Sequence, residues 1–230
     1  MEKDNVAKFY DAYVEKQIVK GYNDRHILLN EFLMNMGMNE ESSILELGCG
    51  IGTITSLLTK TVKKGKIVSV DISEESINQS KKTNKENNIE FIVSDLLSFK
   101  YDDFKFDFIV LFDVLEHVPQ EQHASIFKKI APLMNEKSKL IIHVPSKEII
   151  HYCEDHSPEV MQIIDQPLSE SKMIMEATSS GLRIEEFKFT NIWEEHDYQL
   201  FVFIKQFKFD KTKKIIRKVG LKERIKNKLK

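Results

Sequence analysis

The sequence predicts an α/β protein: a mostly parallel sheet with helices against both faces. Three observations carry that prediction. Between residues 43 and 145, short and nearly solid apolar runs alternate with amphipathic segments, the rhythm of strands buried on both faces. The first run is followed by glycines at every second position, Gly48, Gly50 and Gly52, and then by a helix-compatible stretch. Near the end, two runs of alternating apolar and polar residues lie ten residues apart, which reads as an antiparallel pair at a sheet edge.

Taken in order, residues 5–36 read as two helices. Val6, Phe9, Tyr10 and Tyr13 form one apolar stripe, and Ile27, Leu28, Phe32 and Met36 another. Gly21-Tyr22-Asn23-Asp24 separates them, with Asn23 or Asp24 as the N-cap. Strands are expected at 43–47, 66–70, 90–93, 106–111 and 139–144. Helices are expected at 53–60, 73–84, with Ser73 as cap, and 120–130. Pro145 stops the fifth strand, and residues 145–168 lose any clean period; they read as an insertion of short helices and loops over the carboxyl edge of the sheet. A helix at 169–180 ends at Gly181, and the alternating runs at 184–189 and 199–207 follow. There is no internal repeat or low-complexity linker, so the expectation is one domain over 1–207 and a basic tail over 208–230.

Composition narrows the function. The 230 residues are 41% hydrophobic and 30% charged, with net charge −2, ordinary values for a soluble globular protein. Residues 208–230 hold eleven Lys/Arg against two acids, which leaves −11 for the rest. That acidic body argues against a nucleic-acid partner. No apolar run approaches the ~18 residues of a membrane span, and the polar start has no signal-peptide core. Cys49 and Cys153 form neither a disulfide framework nor a metal spacing. A cytoplasmic protein is expected.

The glycine turn alone is compatible with a bare strand-to-helix connection. It departs from the dinucleotide pattern G-x-G-x-x-G, because residue 53 is Thr, which disfavours a nicotinamide oxidoreductase. Its neighbours sharpen it. Asp71 closes the second strand about 20 residues on, where an acid can accept both hydroxyls of a ribose. Asp95 closes the third and Asp113 follows the fourth. Ligands of open α/β sheets bind outside the carboxyl ends of strands, where these residues fall.

These segments resemble the class I S-adenosylmethionine-dependent methyltransferases. Glu46-Leu-Gly-Cys-Gly-Ile-Gly52 looks like their glycine motif, Val70-Asp71-Ile72-Ser73 their ribose-binding segment, and Ser94-Asp95-Leu96 their adenine-contacting segment. The stretch Asp113-Val-Leu-Glu-His117 is similar to that of their small-molecule branch. The resemblance runs from about residue 5 to 207. It implies a Rossmann-like three-layer sandwich with a seven-stranded sheet whose last strand is antiparallel.

It also implies S-adenosylmethionine as cofactor and S-adenosylhomocysteine as product. Glu46, Gly48, Gly50, Gly52, Asp71, Ile72, Asp95, Leu96 and Phe112 would then hold the cofactor. The turn amides and helix N-terminus suit its carboxylate, and Glu46 its ammonium. Arg25 is placed to reach the carboxylate too; a solvent-facing Arg is the other reading.

Methyl transfer asks mainly for positioning, and an alcohol acceptor also needs a general base. His117 is the candidate by motif, with Asp113 as partner. His156, Asp165, Gln166 and His196 are candidates for the acceptor, in polar stretches beside apolar ones. The spacing of His151 and His156 does not place both on one helix face, so no metal is expected. A softer likeness to surface-polysaccharide and sugar methyltransferases makes O-methylation of a sugar or sugar conjugate the first expectation. N-methylation of an amine or amino sugar, an RNA methyltransferase and a non-catalytic cofactor-binding module are the alternatives. Leu221, Ile225 and Leu229 share one helical face of the tail, so a basic amphipathic helix could meet the inner face of the membrane or a partner; a solvated terminus is the plainer reading.

Overall fold

The computed structural model describes residues 3–207; the basic tail expected over 208–230 lies outside them. Two helices come first, α1 (Lys3–Lys20) and α2 (Asp24–Asn35). Asn23 caps α2, its side chain accepting from the His26 amide while the His26 ring accepts from the Asn23 amide. Then strands and helices alternate: β1 (Ser43–Leu47), α3 (Thr53–Thr61), β2 (Lys66–Asp71), α4 (Glu74–Thr83), β3 (Ile89–Val93), β4 (Phe106–Phe112), α5 (His123–Ile130) and β5 (Met134–Pro145). Helices α6 (Lys147–His156) and α7 (Glu170–Ser179) precede β6 (Leu182–Thr190) and β7 (Tyr198–Lys205).

The seven strands form one sheet in the order β3-β2-β1-β4-β5-β7-β6. β7, last in the chain, inserts between β5 and β6 and runs antiparallel to both, whereas the other pairs are parallel. The strand order therefore reverses between β1 and β4, and a crevice opens at their carboxyl ends.

Alternate residues serve opposite faces. Leu45, Val68, Ile109 and Leu140 pack with Phe127 of α5 and Met173 of α7, whereas Ile44, Ile67, Phe108 and Ile141 pack with Leu29 and Leu33 of α2 and Leu58 of α3. Each such side chain, fully buried, contributes on the order of 1.5–3 kcal/mol.

Two elements differ from expectation. β5 begins at Met134, because Ser138 Oγ donates to Phe106 O at 2.6 Å and the Asn135 amide donates to Ser138 Oγ at 2.7 Å, so this polar stretch joins β4 across an irregularity in the pairing. Residues 120–122 form a separate 3₁₀ turn ahead of α5. The insertion after Pro145 holds the short helix α6, capped by Ser146, in line with the short helices expected there. Among the described residues no helix is long and apolar enough to cross a membrane.

Candidate functional site

A cavity of about 690 Å³ lies over the crevice between β1 and β4. At one end stands the glycine turn. Gly48, Gly50 and Gly52 take φ values of +77°, +53° and +81°, so the chain doubles back tightly. The turn is wound inward. The amides of Gly48 and Cys49 donate to Val70 O, that of Gly52 to Cys49 O, and that of Gly50 to Asp71 Oδ2 at 2.7 Å. These four amides are thus occupied within the fold, and do not point free toward an anion.

The acids at the strand ends have structural partners as well. Asp71 also accepts from the Ser73 amide at 2.9 Å, and burial pushes its carboxyl above the usual range. Glu46 lies beneath the turn, its Oε2 accepting from Thr55 Oγ1 at 2.5 Å and Ser69 Oγ at 2.9 Å; burial lifts it to about 7. Asp95 Oδ1 accepts from the amides of Leu97 and Ser98, both at 2.9 Å. Glu46, Asp71, Ile72, Asp95, Leu96 and Phe112 all line the cavity.

Helix α1 adds a wall that motif reading missed. Tyr10, Tyr13 and Gln17 line the cavity, and Asp11 Oδ1 ties the helix to the start of α4, accepting from Ser73 Oγ at 2.6 Å and the Glu75 amide at 3.3 Å. The signal was the apolar stripe of residues 6–13, which reads equally well as core.

The other end is a cluster of charges. Asp113 has a left-handed φ of +56°, held by its amide donating to His143 O at 2.9 Å and by an ion pair between its carboxylate and Arg25. Burial raises the Asp113 carboxyl against the opposing pull of Arg25. Arg25 thus faces Asp113, and its guanidinium lies 5.7 Å from the Tyr198 ring centre.

His117 Nδ1 meets Ile164 O at 2.6 Å and Asp165 Oδ1 at 2.9 Å, and its Nε2 lies 3.6 Å from Glu116 Oε1. Burial would lower its pKa, but Glu116 and Asp165 lift it to about 9. Glu116, only 2% exposed, is raised by burial to about 8, against the pull of His117. Beneath them His143 is buried, stacked on Tyr198 and bonded to Thr190 Oγ1 at 2.9 Å. Burial first, then Arg25, lowers it to about 3.

Of the acceptor candidates, Asp165 lines the cavity. Gln166 stands behind it, strapping the insertion down: its Nε2 donates to Val118 O at 2.9 Å and its amide to Glu116 O at 3.0 Å. His156 is exposed and stacks on Tyr152, and His196 is exposed beside Phe189; neither is part of the cavity wall. Trp193, half exposed, stands at the wall in edge contact with Tyr198, ring centres 5.8 Å apart. Among the described residues no group of three or more His, Cys, Asp or Glu is arranged to hold a metal ion.

Four polar side chains beside this cluster have buried atoms without a hydrogen-bond partner: the Tyr10 hydroxyl, Arg25 Nε, Asp113 Oδ1 and Glu116 Oε2. All four residues line the cavity. Buried polar atoms are normally paired, so their convergence marks a wall built to meet a ligand.

The chain belongs to the methyltransferase domain family, whose model matches residues 38–204. It is an enzyme of methyl transfer with a class I methyltransferase fold. Malonyl-[acyl-carrier protein] O-methyltransferase from Priestia megaterium is 28% identical over 222 residues, which cover 92% of this chain and 77% of that one. Putative methyltransferase 235L of Invertebrate iridescent virus 6 is 26% identical over 178 residues, 73% of this chain and 65% of its own length. Magnesium protoporphyrin IX methyltransferase from Synechocystis PCC 6803, solved with bound SAH, superimposes with a TM-score of 0.68 at 17% identity, covering 89% of this chain and 99% of that one. The N-methyltransferase NodS from Bradyrhizobium japonicum WM9, in complex with S-adenosyl-L-homocysteine, gives 0.64 at 18%, covering 80% and 88%. These two likenesses establish the shared fold.

Proposed function

We propose that this enzyme transfers the methyl group of S-adenosylmethionine to a hydroxyl of a small polar acceptor, a sugar or sugar conjugate. One observation carries the reading: a single cavity joins the glycine turn to a wall where Tyr10, Arg25, Asp113 and Glu116 each hold a buried polar atom without a hydrogen-bond partner. Its size suits a nucleoside-sized donor with a small second ligand.

The residues present fit the donor. Its lining is rich in acids, Glu46, Asp71, Asp95 and Asp113 among them, which favours a ligand carrying positive charge. When bound, S-adenosylmethionine supplies an electrophilic methyl group on a sulfonium. Asp71 holds the ribose hydroxyls, the Asp95–Leu96 segment the adenine, and Ile72 and Phe112 flank it. Arg25 Nε, a buried donor without a partner, suits the methionine carboxylate. Helix α1 supplies Tyr10, Tyr13 and Gln17 to the wall of the site.

Asp165, Gln162 and Glu194 line the far end and suit a ligand with several hydroxyls. Transfer to oxygen also agrees with the relative named as an O-methyltransferase. A second reading, transfer to an amine, is favoured by the carboxylates of Asp113, Glu116 and Asp165 at the same wall. The test is incubation with methyl-labelled S-adenosylmethionine and a panel of sugars, amino sugars and simple amines. A methyl ether in the product is expected. An N-methyl product selects the second reading, and no labelled product with any acceptor removes both.

A further inference from the structure

We propose that Glu116, rather than His117, takes the proton from the acceptor, with His117 as its positioning partner. The inference rests on the methyl-transfer reading above and assigns a base to the same site.

Geometry separates the two residues. His117 spends its Nδ1 on the insertion rather than on the cavity. Its Nδ1 lies within 2.6 Å of a backbone carbonyl, that of Ile164, and must donate there; Asp165 shares the same proton at 2.9 Å. Its Nε2 lies 3.6 Å from Glu116 Oε1, close enough for charge to act between them but too far for a hydrogen bond. Glu116 has one oxygen toward His117 and the other, Oε2, buried without a partner in a residue that lines the cavity. A carboxylate oxygen left unpaired in a dry wall is costly unless a ligand donates to it.

The 3₁₀ turn that presents it, Leu115–His117, is clamped on both sides. His123 Nε2 donates to Leu115 O at 3.0 Å and Val118 O at 2.9 Å, and the Gln166 amide donates to Glu116 O. The carboxyl is thus held in place before an acceptor arrives. Around it stand His117 from its own turn, Asp113 from the end of β4, Asp165 from the insertion, Arg25 from α2, Tyr10 from α1 and Tyr198 from β7.

The step balances as follows. The acceptor X–H gives its proton to Glu116 carboxylate while a lone pair on X forms the X–CH3 bond. The bond from that carbon to sulfur breaks, its electron pair staying on sulfur, so the products are methylated acceptor, neutral thioether and Glu116 carboxylic acid. Loss of that proton to solvent resets the residue. A base poised near the operating pH is the efficient kind, and burial holds Glu116 at about 8.

Four measurements test this. Glu116→Gln should lower turnover by about 10²–10⁴-fold while S-adenosylhomocysteine affinity by calorimetry stays within about threefold. The wild-type kcat/KM should climb as pH rises toward about 8, a limb that belongs to the Glu116–His117 pair and is lost in the Gln variant. Glu116→Asp, which keeps a carboxylate, should retain that limb at a reduced rate. In the ligand-free protein, a ¹³C-labelled glutamate carboxyl should titrate near 8 and disappear in Glu116→Gln. Near-wild-type turnover in Glu116→Gln, or an unchanged pH limb, overturns the proposal. If the Gln variant misfolds, absence of the pH limb in Glu116→Asp or of any such carboxyl resonance in the wild type does the same. A wild type that methylates nothing instead sinks the functional reading itself.

Discussion

A β-carbon on Gly48 would sit 2.4 Å from Val114 Cγ2, at a φ of +77° that side chains resist. Left-handed backbone alone costs an L-residue roughly 1–2 kcal/mol, and the contact adds to it. Gly48→Ala should therefore lower unfolding stability by at least ~1–2 kcal/mol, read by urea denaturation. Asp71 is the second sensitive residue, because its two oxygens fasten both the glycine turn and the start of α4. Asp71→Ala should weaken S-adenosylhomocysteine binding at least about tenfold, or ~1.4 kcal/mol, in a calorimetric titration; unchanged affinity would remove Asp71 from the cofactor site. The glycine turn, Asp71 and Asp95 are legible in sequence because each lies at the carboxyl end of its own strand, so spacing alone locates it. The pairing of Arg25 with Asp113 is not legible. It joins residues 88 apart through the way α2 docks, and no local pattern encodes that.

Helix α1 shows the same limit at the scale of an element. Its stripe of Val6, Phe9, Tyr10 and Tyr13 announces a buried face, but periodicity says only that the face is covered, not that it covers a ligand. Its link to the body runs through Asp11 at the cap of α4. Asp11→Ala should cost about 1 kcal/mol in that contact, and α1 amides should exchange hydrogen faster while those of β1 and β4 do not change. Cofactor affinity should fall by up to about fivefold, since Tyr10, Tyr13 and Gln17 would spend less time on the cavity wall. The inner parallel strands were legible from their nearly solid apolar runs, and β6 and β7 from their alternation. The first residues of β5 were not, because Asn135-Glu136-Lys137-Ser138 is polar and enters the strand through side-chain bonds to backbone.

Across the whole molecule, burial lowers His143 unopposed, whereas at His117 the neighbouring Glu116 and Asp165 outweigh it. His143 stays neutral in the folded chain to about 3, below the ordinary value of 6.5. Its share of stability is present above 6.5 and is lost as pH falls through that window toward 3, because the unfolded chain takes up the proton first. At pH 5 this amounts to up to ~2 kcal/mol. Comparing wild type with His143→Gln by denaturation at pH 7 and pH 5 should show the difference between the two shrink on acidification. His117, Glu116 and Asp165 come from segments almost 50 residues apart in the chain, so their mutual charging could only be seen once the insertion was folded over the sheet. Finally, the chain holds a single tryptophan, Trp193, and it stands half exposed at the cavity wall. The enzyme therefore carries an intrinsic optical probe. An acceptor that covers the indole should shift its emission to the blue and shield it from iodide, whereas a ligand confined to the glycine-turn end should leave both unchanged, so binding at the two ends of the cavity can be followed without a label.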